Sequence, residues 1–214
     1  MGEDGRVYLM RVSLPDRPGS LGLVASAVGS VGGDINAVEI VEKGDGVVVD
    51  DFIVDLPPDR LPETMIAACQ HLDDVRVEWI SRYPESGGLQ SDLEALERMT
   101  ADPTNAAETL VSLSPVVFRS HWAALLDVSG DQVSSLRATT LAPELHTGNV
   151  GPFAPLETTH RCDLAAGWLP GWAESTAVVV PLTRDRVIII GRHGGPPFLD
   201  SEIARLHHLA ELIK

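Results

Sequence analysis

Leu14-Pro15-Asp16-Arg17-Pro18-Gly19-Ser20-Leu21 decides how the first half of the chain is read. Two prolines stiffen it as a turn, and Gly19 permits backbone conformations that other residues avoid. Before it, Val7 to Leu14 alternates, with Tyr8, Met10, Val12 and Leu14 on one face, so a strand enters the turn. After it, Leu21, Val24, Val28 and Val31 recur at helical spacing, so a helix leaves. Gly32-Gly33 stops that helix.

Working outward, Asp34 to Glu42 and Val47 to Leu56 read as strands. Lys43-Gly44-Asp45-Gly46 between them holds the Asp-Gly hairpin signal. Pro57-Pro58-Asp59 ends the third strand. A helix is expected from about Leu61 to Leu72, with Leu61, Met65, Ala68, Cys69 and Leu72 on one side. Val75 to Ser81 supplies a last strand. The order β-α-β-β-α-β over residues 6–82, with both helices on one face of an antiparallel sheet, is the split-βαβ pattern of a ferredoxin-like α+β sandwich.

Residues 82–92 contain Pro84, Ser86 and Gly87-Gly88 without periodicity and mark a linker. A second domain is expected over 90–214. It begins with one helix, about Ser91 to Leu113. Strands follow at Trp122 to Val128 and Gln132 to Ala138. Thr139 to Glu174 shows no pattern, and so long a loop in a compact domain signals function or short hidden elements. Ala177 to Leu182 and Arg186 to Gly191 read as central strands buried on both faces. A last helix starts at Asp200 as its N-cap, with Ile203, Leu206, His207, Ala210 and Ile213 at helical spacing.

Charge excludes several functions. The 214 residues carry 16 Lys+Arg against 31 Asp+Glu, a net −15. The excess is shared, −8 over residues 1–82 and −7 over 83–214. Neither half has a basic patch for a phosphate backbone or an anionic membrane surface. No apolar run approaches the ~20 residues that span a bilayer. Met1 to Arg6 lacks the apolar core of a signal peptide, and two cysteines make no disulfide framework. The expected compartment is the cytoplasm.

The chemistry-bearing stretch is again the first turn. Backbone N–H groups from about Gly19 to Leu21 face the positive end of a helix dipole and suit a carboxylate. Asp16 beside them suits an ammonium. Together they fit a zwitterionic amino acid. A plain helix start after a Pro-rich turn explains the same residues without any ligand.

Asp16-Arg17-Pro18-Gly19-Ser20-Leu21, followed by Gly33-Asp34-Ile35-Asn36, resembles the ACT domain, a small-molecule regulatory module of amino-acid metabolism. The resemblance covers residues 6–82 in the family's element order. It implies a homodimer with an effector held at the interface, between the first turn and the start of the second strand. The implied site is Asp16, Pro18, Gly19, Ser20 and Leu21, completed by Asp34, Ile35 and Asn36. Replacing Gly19 by a bulky residue is expected to abolish binding and leave the fold intact.

Ala124 to Asp131, Ala177 to Leu182, Val187 to Gly191 and Pro197 to Leu206 resemble a GAF domain, a sensory fold built on an antiparallel sheet with flanking helices. Residues 139–175, where that family builds its pocket, depart from its pattern. His160-Arg161-Cys162-Asp163 lacks the Cys-His pair of tetrapyrrole-binding relatives.

Other sites fare worse. His207 and His208 are adjacent, so they face different sides of a helix; His160 and Cys162 make only two ligands of a four-ligand zinc site. No metal and no cofactor is expected. Ser120-His121 places nucleophile and base side by side, the wrong geometry for activation unless tertiary folding intervenes. Gly191-Arg192-His193-Gly194-Gly195 reads as a loop rather than an anion nest. Trp122, Trp168 and Trp172 read as core rather than pocket. No catalytic residue is expected. The favoured expectation is a dimeric regulatory protein that binds an amino acid and acts on a protein target not identified by the sequence. The alternatives are a C-terminal enzyme using His146, Glu157, His160 and Asp163, and a pure assembly module.

Overall fold

The computed structural model describes residues 6–82, 89–129, 131–172, 174–193 and 196–213. The chain divides into two compact units, Met1–Glu85 and Ser86–Lys214. Most of the expected linker lies outside the described residues.

The first unit runs β1 (Arg6–Pro15), α1 (Ser20–Ser30), β2 (Asp34–Gly44), β3 (Val47–Leu56), α2 (Pro62–Gln70) and β4 (Arg76–Arg82). The sheet order is β2-β3-β1-β4, antiparallel throughout. Asp45 and Gly46 both take positive φ, 53° and 76°, as a two-residue hairpin turn between β2 and β3 requires. Tyr8, Met10, Val12 and Leu14 of β1 join Phe52, Val54 and Leu56 of β3 in one core, closed by Val24, Ala27 and Val28 of α1 and Met65 and Cys69 of α2. Two expected core positions are corrected. Leu21 is 44% exposed and Leu61 is 61% exposed, because each stands at a helix start and points past the sheet. Gly32 reverses the chain after α1 at φ 83°, and a Cβ on Gly33 would stand 2.8 Å from Val28 Cγ1, so both glycines are needed there.

The opposite face of that sheet carries a feature the alternation did not announce. Arg11 is buried and forks onto Asp51, its register partner, with Nε–Oδ1 2.8 Å and Nη2–Oδ2 2.9 Å.

The second unit runs α3 (Leu89–Ala101), α4 (Ala106–Val117), β5 (Trp122–Asp127), β6 (Ser134–Ala138), β7 (His160–Leu164), β8 (Ser175–Pro181), β9 (Arg186–His193) and α5 (Asp200–Glu211). Its antiparallel sheet has the order β6-β5-β9-β8-β7. One face packs on the helices through Ala123, Leu125, Val178, Val180, Ile188 and Ile190. The other packs through Ala124, Leu126, Val179 and Ile189 on Leu145, Val150 and Phe153. The whole chain is thus α+β, with two antiparallel sheets and flanking helices.

Three expectations are corrected here. The single helix over 91–113 is two, because Pro103 cannot donate to an α-helical ladder and opens a 3-10 turn, Pro103–Asn105. Residues 139–174 contain β7 and a 3-10 turn, Gly151–Phe153, and their apolar residues complete a core. The cap of α5 is Leu199, with Asp200 already helical; the Leu199 N–H donates to Glu202 Oε2 at 2.8 Å.

Candidate functional site

Gly19 holds φ 95° as the residue before α1, and the Leu23 N–H donates back to its carbonyl at 3.1 Å. The expectation of three free N–H groups is corrected: the Ser20 N–H donates to the Arg17 carbonyl at 3.3 Å, and the Ser20 side chain is buried. Helix geometry leaves the N–H groups of Leu21 and Gly22 without a carbonyl inside the helix. Asp16 is already engaged, with Oδ1 2.9 Å from Lys43 Nζ. An arriving ammonium therefore competes with a lysine. A side chain on Gly19 would meet no atom within 4 Å, but the positive φ strains it. A bulky Gly19 variant is thus expected to lose roughly 1–2 kcal/mol of stability while still folding.

The remaining motif residues lie elsewhere. Asp34, Ile35 and Asn36 open β2, an edge strand, and the register shift between Ile35 and Ala37 makes Asn36 a bulge residue with an exposed side chain. α1 has 11 residues, so its ends stand about 16 Å apart at 1.5 Å per residue. The strands separate the two groups further. Asp16 bonds to Gly46 at one end of β3, whereas Asp34 pairs with Asp55 at the other. That is about 30 Å of extended chain. One copy of the chain does not bring the two halves of the motif together.

Asp50 was not singled out in the sequence. It faces the helices from β3, opposite Val12, and is only 3% exposed. Its Oδ1 has no hydrogen-bond partner among the described residues. Burial, then the charges of Asp51 and Asp16, push its carboxyl above the usual range. A raised folded-state pKa means the fold prefers the proton. The stabilising effect is complete below the unfolded pKa of about 3.9 and is lost as pH rises through the folded value. Asp50→Asn is therefore expected to raise stability at pH 7 by about 1 kcal/mol. It should also flatten the pH dependence of the urea midpoint on the side above the unfolded-state pKa. An unchanged midpoint at both pH 4 and pH 7 counts against a buried charge at this position.

In the second unit the aromatic residues pack edge to face: Trp122 on Phe153 and Trp172, Phe153 on Trp168, and Trp168 on Trp172. Trp172 also meets His193 at 4.3 Å between ring centroids. The His193 N–H donates to His121 Nδ1 at 3.0 Å, and Ser175 Oγ stands 3.1 Å from His193 Nδ1. Burial lowers the pKa of both histidines; Arg192 lowers His121 further and His121 lowers His193. Cys162 is pushed up to about 12 by burial and by Asp163, and Cys69 to about 11 by burial, so neither is a ready thiolate.

Of the alternative catalytic set, His160 and Asp163 share β7, three residues apart and so on opposite faces. His146 Nδ1 accepts the Gly148 N–H at 3.0 Å within a turn, and His160 Nδ1 lies 2.9 Å from the Thr158 carbonyl. Glu157 is exposed, and Asp163 lines a cleft at the end of β7. Among the described residues no hydrogen bond or ion pair joins any two of the four. His207 stands 3.0 Å from Thr159 Oγ1 and 3.6 Å from Glu211. No group of three or more His, Cys, Asp or Glu is placed to hold a metal among the described residues. The anion-nest stretch is part strand, part outside the described residues. No helix among the described residues is long and apolar enough to cross a membrane.

No family model matches the chain. NAD-dependent malic enzyme 1 of Bacillus subtilis is 34% identical over 76 residues, 35% of this chain. The chain spans 17% of the length of that curated relative. Among solved structures, it is similar to the GAF domain of Acinetobacter phosphoenolpyruvate-protein phosphotransferase, at 12% identity and TM-score 0.43, over 58% of this chain and 89% of that one. It is also similar to bacteriophytochrome RpBphP3 from R. palustris, at 12% identity and TM-score 0.42, over 80% of this chain and 40% of that one. At these scores the likeness carries no functional weight.

Proposed function

We propose that the chain is a regulatory protein whose first unit is a ferredoxin-like, ACT-type module that binds an amino acid between two copies. The observation that carries this is the split motif. Asp16 to Leu21 and Asp34 to Asn36 lie at opposite ends of α1, so a single copy offers two half-sites. Antiparallel pairing of two β2 edges would reunite them. It sets the start of β2 in one copy against the end of β2 in the other, where Lys43 already reaches Asp16. β2 is suited to such pairing: it is an edge strand of 11 residues, mostly exposed, with Ile40 66% and Val38 39% exposed. The half-sites then supply N–H groups for a carboxylate, Asp16 for an ammonium, and the Asn36 amide as donor and acceptor.

The second unit fits a GAF-like sensory or assembly role, with its sheet covered on both faces. The segment shared with malic enzyme 1 is a small share of that enzyme, as suits an attached module rather than a catalytic body. We favour a non-enzymatic role, because among the described residues no hydrogen bond or ion pair joins any two of the four acid–base candidates. Signalling requires the ligand to prefer one dimer arrangement over another.

Complementation tests the shared site. Calorimetry against the proteinogenic amino acids should return a selective ligand, and Leu21→Glu, which sets a like charge beside the N–H groups that hold its carboxylate, and Asn36→Ala should each abolish its binding. Mixed and exchanged, the two silent variants should recover about a quarter of the sites, because each heterodimer rebuilds one intact interface. No recovery in confirmed heterodimers removes the shared-site reading. A flat panel from a folded dimer points to an assembly module.

A further inference from the structure

Asp50 is a buried carboxylate without a structural task, and it lies below the half-site at the first turn. It comes three residues after Val47, which opens β3, so it stands about 10 Å from the end where Asp16 bonds to Gly46. Its register partners are Val12 of β1 and Ile40 of β2. The face it takes is the one on which α1 packs. Ser20, the first residue of α1, is buried one turn before Val24 on the stripe that meets this face. Asp50 is 3% exposed, yet its two oxygens differ. Oδ1 is shut off from solvent and has no hydrogen-bond partner among the described residues. Oδ2 also lacks a partner there, but it keeps accessible surface.

A carboxylate enclosed without a donor is destabilising, and buried polar groups are ordinarily satisfied. The surrounding groups do not supply the donor. Asp51 faces the other side of the sheet and is tied to Arg11. β1 turns Tyr8, Met10, Val12 and Leu14 to this face, and β4, beyond β1, turns Val77 and Ile80. α1 carries no charged residue. α2 carries Glu63, which is exposed, and the Cys69 thiol, which burial keeps protonated. β2 turns Ile40 and Lys43 to this side, but Lys43 Nζ is engaged by Asp16 at 2.9 Å. Arg17 is exposed in the turn.

We propose that Asp50 receives the ammonium of the ligand held at the first turn, with the accessible Ser20 hydroxyl as a second acceptor. This rests on the reading of the first unit as an amino-acid module, and it moves the ammonium from Asp16, which Lys43 holds, to the carboxylate that has no partner. A primary ammonium brings three donors on one compact cation. A hard metal ion would need six or more oxygens, and this end offers Asp16, Ser20 and Asp50. Only ionised Asp50 pairs with an ammonium, whereas burial and the charges of Asp51 and Asp16 favour its protonated form. Ligand affinity should therefore rise with pH through the folded-state pKa of Asp50 and level off above it, and binding should release a proton. A residue that weakens the free protein and strengthens the bound one is a trade of stability against function.

The test uses methylammonium chloride on the full chain, against sodium chloride and tetramethylammonium chloride at equal ionic strength. The side-chain carboxyl resonance of Asp50, followed by NMR as pH is varied, reads the result. Methylammonium should lower the Asp50 midpoint, and neither control should. Asp50→Asn, expected to fold more stably than the parent, should weaken methylammonium binding at the Ser20 and Leu21 amides by about tenfold or more, the effect of one charge-assisted hydrogen bond. Asp16→Asn should weaken it less. An Asp50 midpoint that methylammonium leaves in place overturns the proposal, whether or not Leu21→Glu and Asn36→Ala complement each other. A larger loss in Asp16→Asn than in Asp50→Asn also overturns it, by putting the ammonium on Asp16. Failed complementation with a lowered Asp50 midpoint removes the shared site and keeps Asp50 as the amine acceptor.

Discussion

Gly191→Ala is expected to destabilise the second unit by about 3 kcal/mol, the upper end of the usual cost of overpacking. Gly191 sits in β9 opposite Trp122 of β5. A Cβ there would stand 2.2 Å from Trp122 Cε2 and 2.3 Å from Cζ2. The indole lies across the glycine and is fully buried, pinned edge to face by Phe153 and Trp172. No rotamer change frees it without opening that aromatic packing. Urea unfolding followed by tryptophan emission reads the loss. Trp122→Leu alone also costs several kcal/mol by leaving a cavity. The double variant Trp122→Leu/Gly191→Ala should be more stable than the sum of the singles predicts, because the clash is gone. Strict additivity would mean that the indole does not occupy the space above Gly191.

Arg192→Met is the second large effect, about 3–5 kcal/mol. Arg192 is 1% exposed and its Nη2 stands 2.8 Å from Glu202 Oε1. The same guanidinium donates to the Phe118 carbonyl at 2.8 Å and lies 3.9 Å over the Phe198 ring. It thereby joins β9, the end of α4 and the start of α5. Removing it leaves a buried carboxylate and a carbonyl without their donor. Glu202 also accepts the Leu199 N–H, so α5 loses its anchor while keeping its cap. Arg192→Met/Glu202→Gln should recover part of the loss, since the stranded charge is gone. Equal stability of single and double variants would show that the carbonyl contacts, not the ion pair, carry the cost.

Much of the architecture was legible because it rests on local pattern. Alternation in Val7 to Leu14, the Asp45-Gly46 turn and the Gly32-Gly33 stop each state a short-range rule. The β-branched runs of β8 and β9 do the same. Pro103 carried a readable break that the helical spacing around it outweighed. β7 was missed because His-Arg-Cys-Asp-Leu is a short edge strand whose inward face, His160, Cys162 and Leu164, holds only one strongly apolar residue. The buried ion pairs were invisible for another reason. Arg11 and Asp51 are 40 residues apart, and only strand register sets them opposite each other. The motif residues of the first unit were identifiable by type, but their separation depends on the run of α1 and β3.

The strand order has a consequence for how the chain reaches this state. β1 comes first in the sequence yet lies inside its sheet, between β3 and β4. During synthesis it leaves the ribosome with both backbone edges bare. Its first neighbour follows only at Val47–Leu56 and its second at Arg76–Arg82. β5 shares half of the problem: β6 follows it closely and covers one edge, but β9 arrives some sixty residues after it. Such non-local closure slows folding and prolongs the life of open strand edges. Nascent chains are therefore most vulnerable to mispairing until residue 82 has emerged, and chaperone dependence should be greatest over that interval.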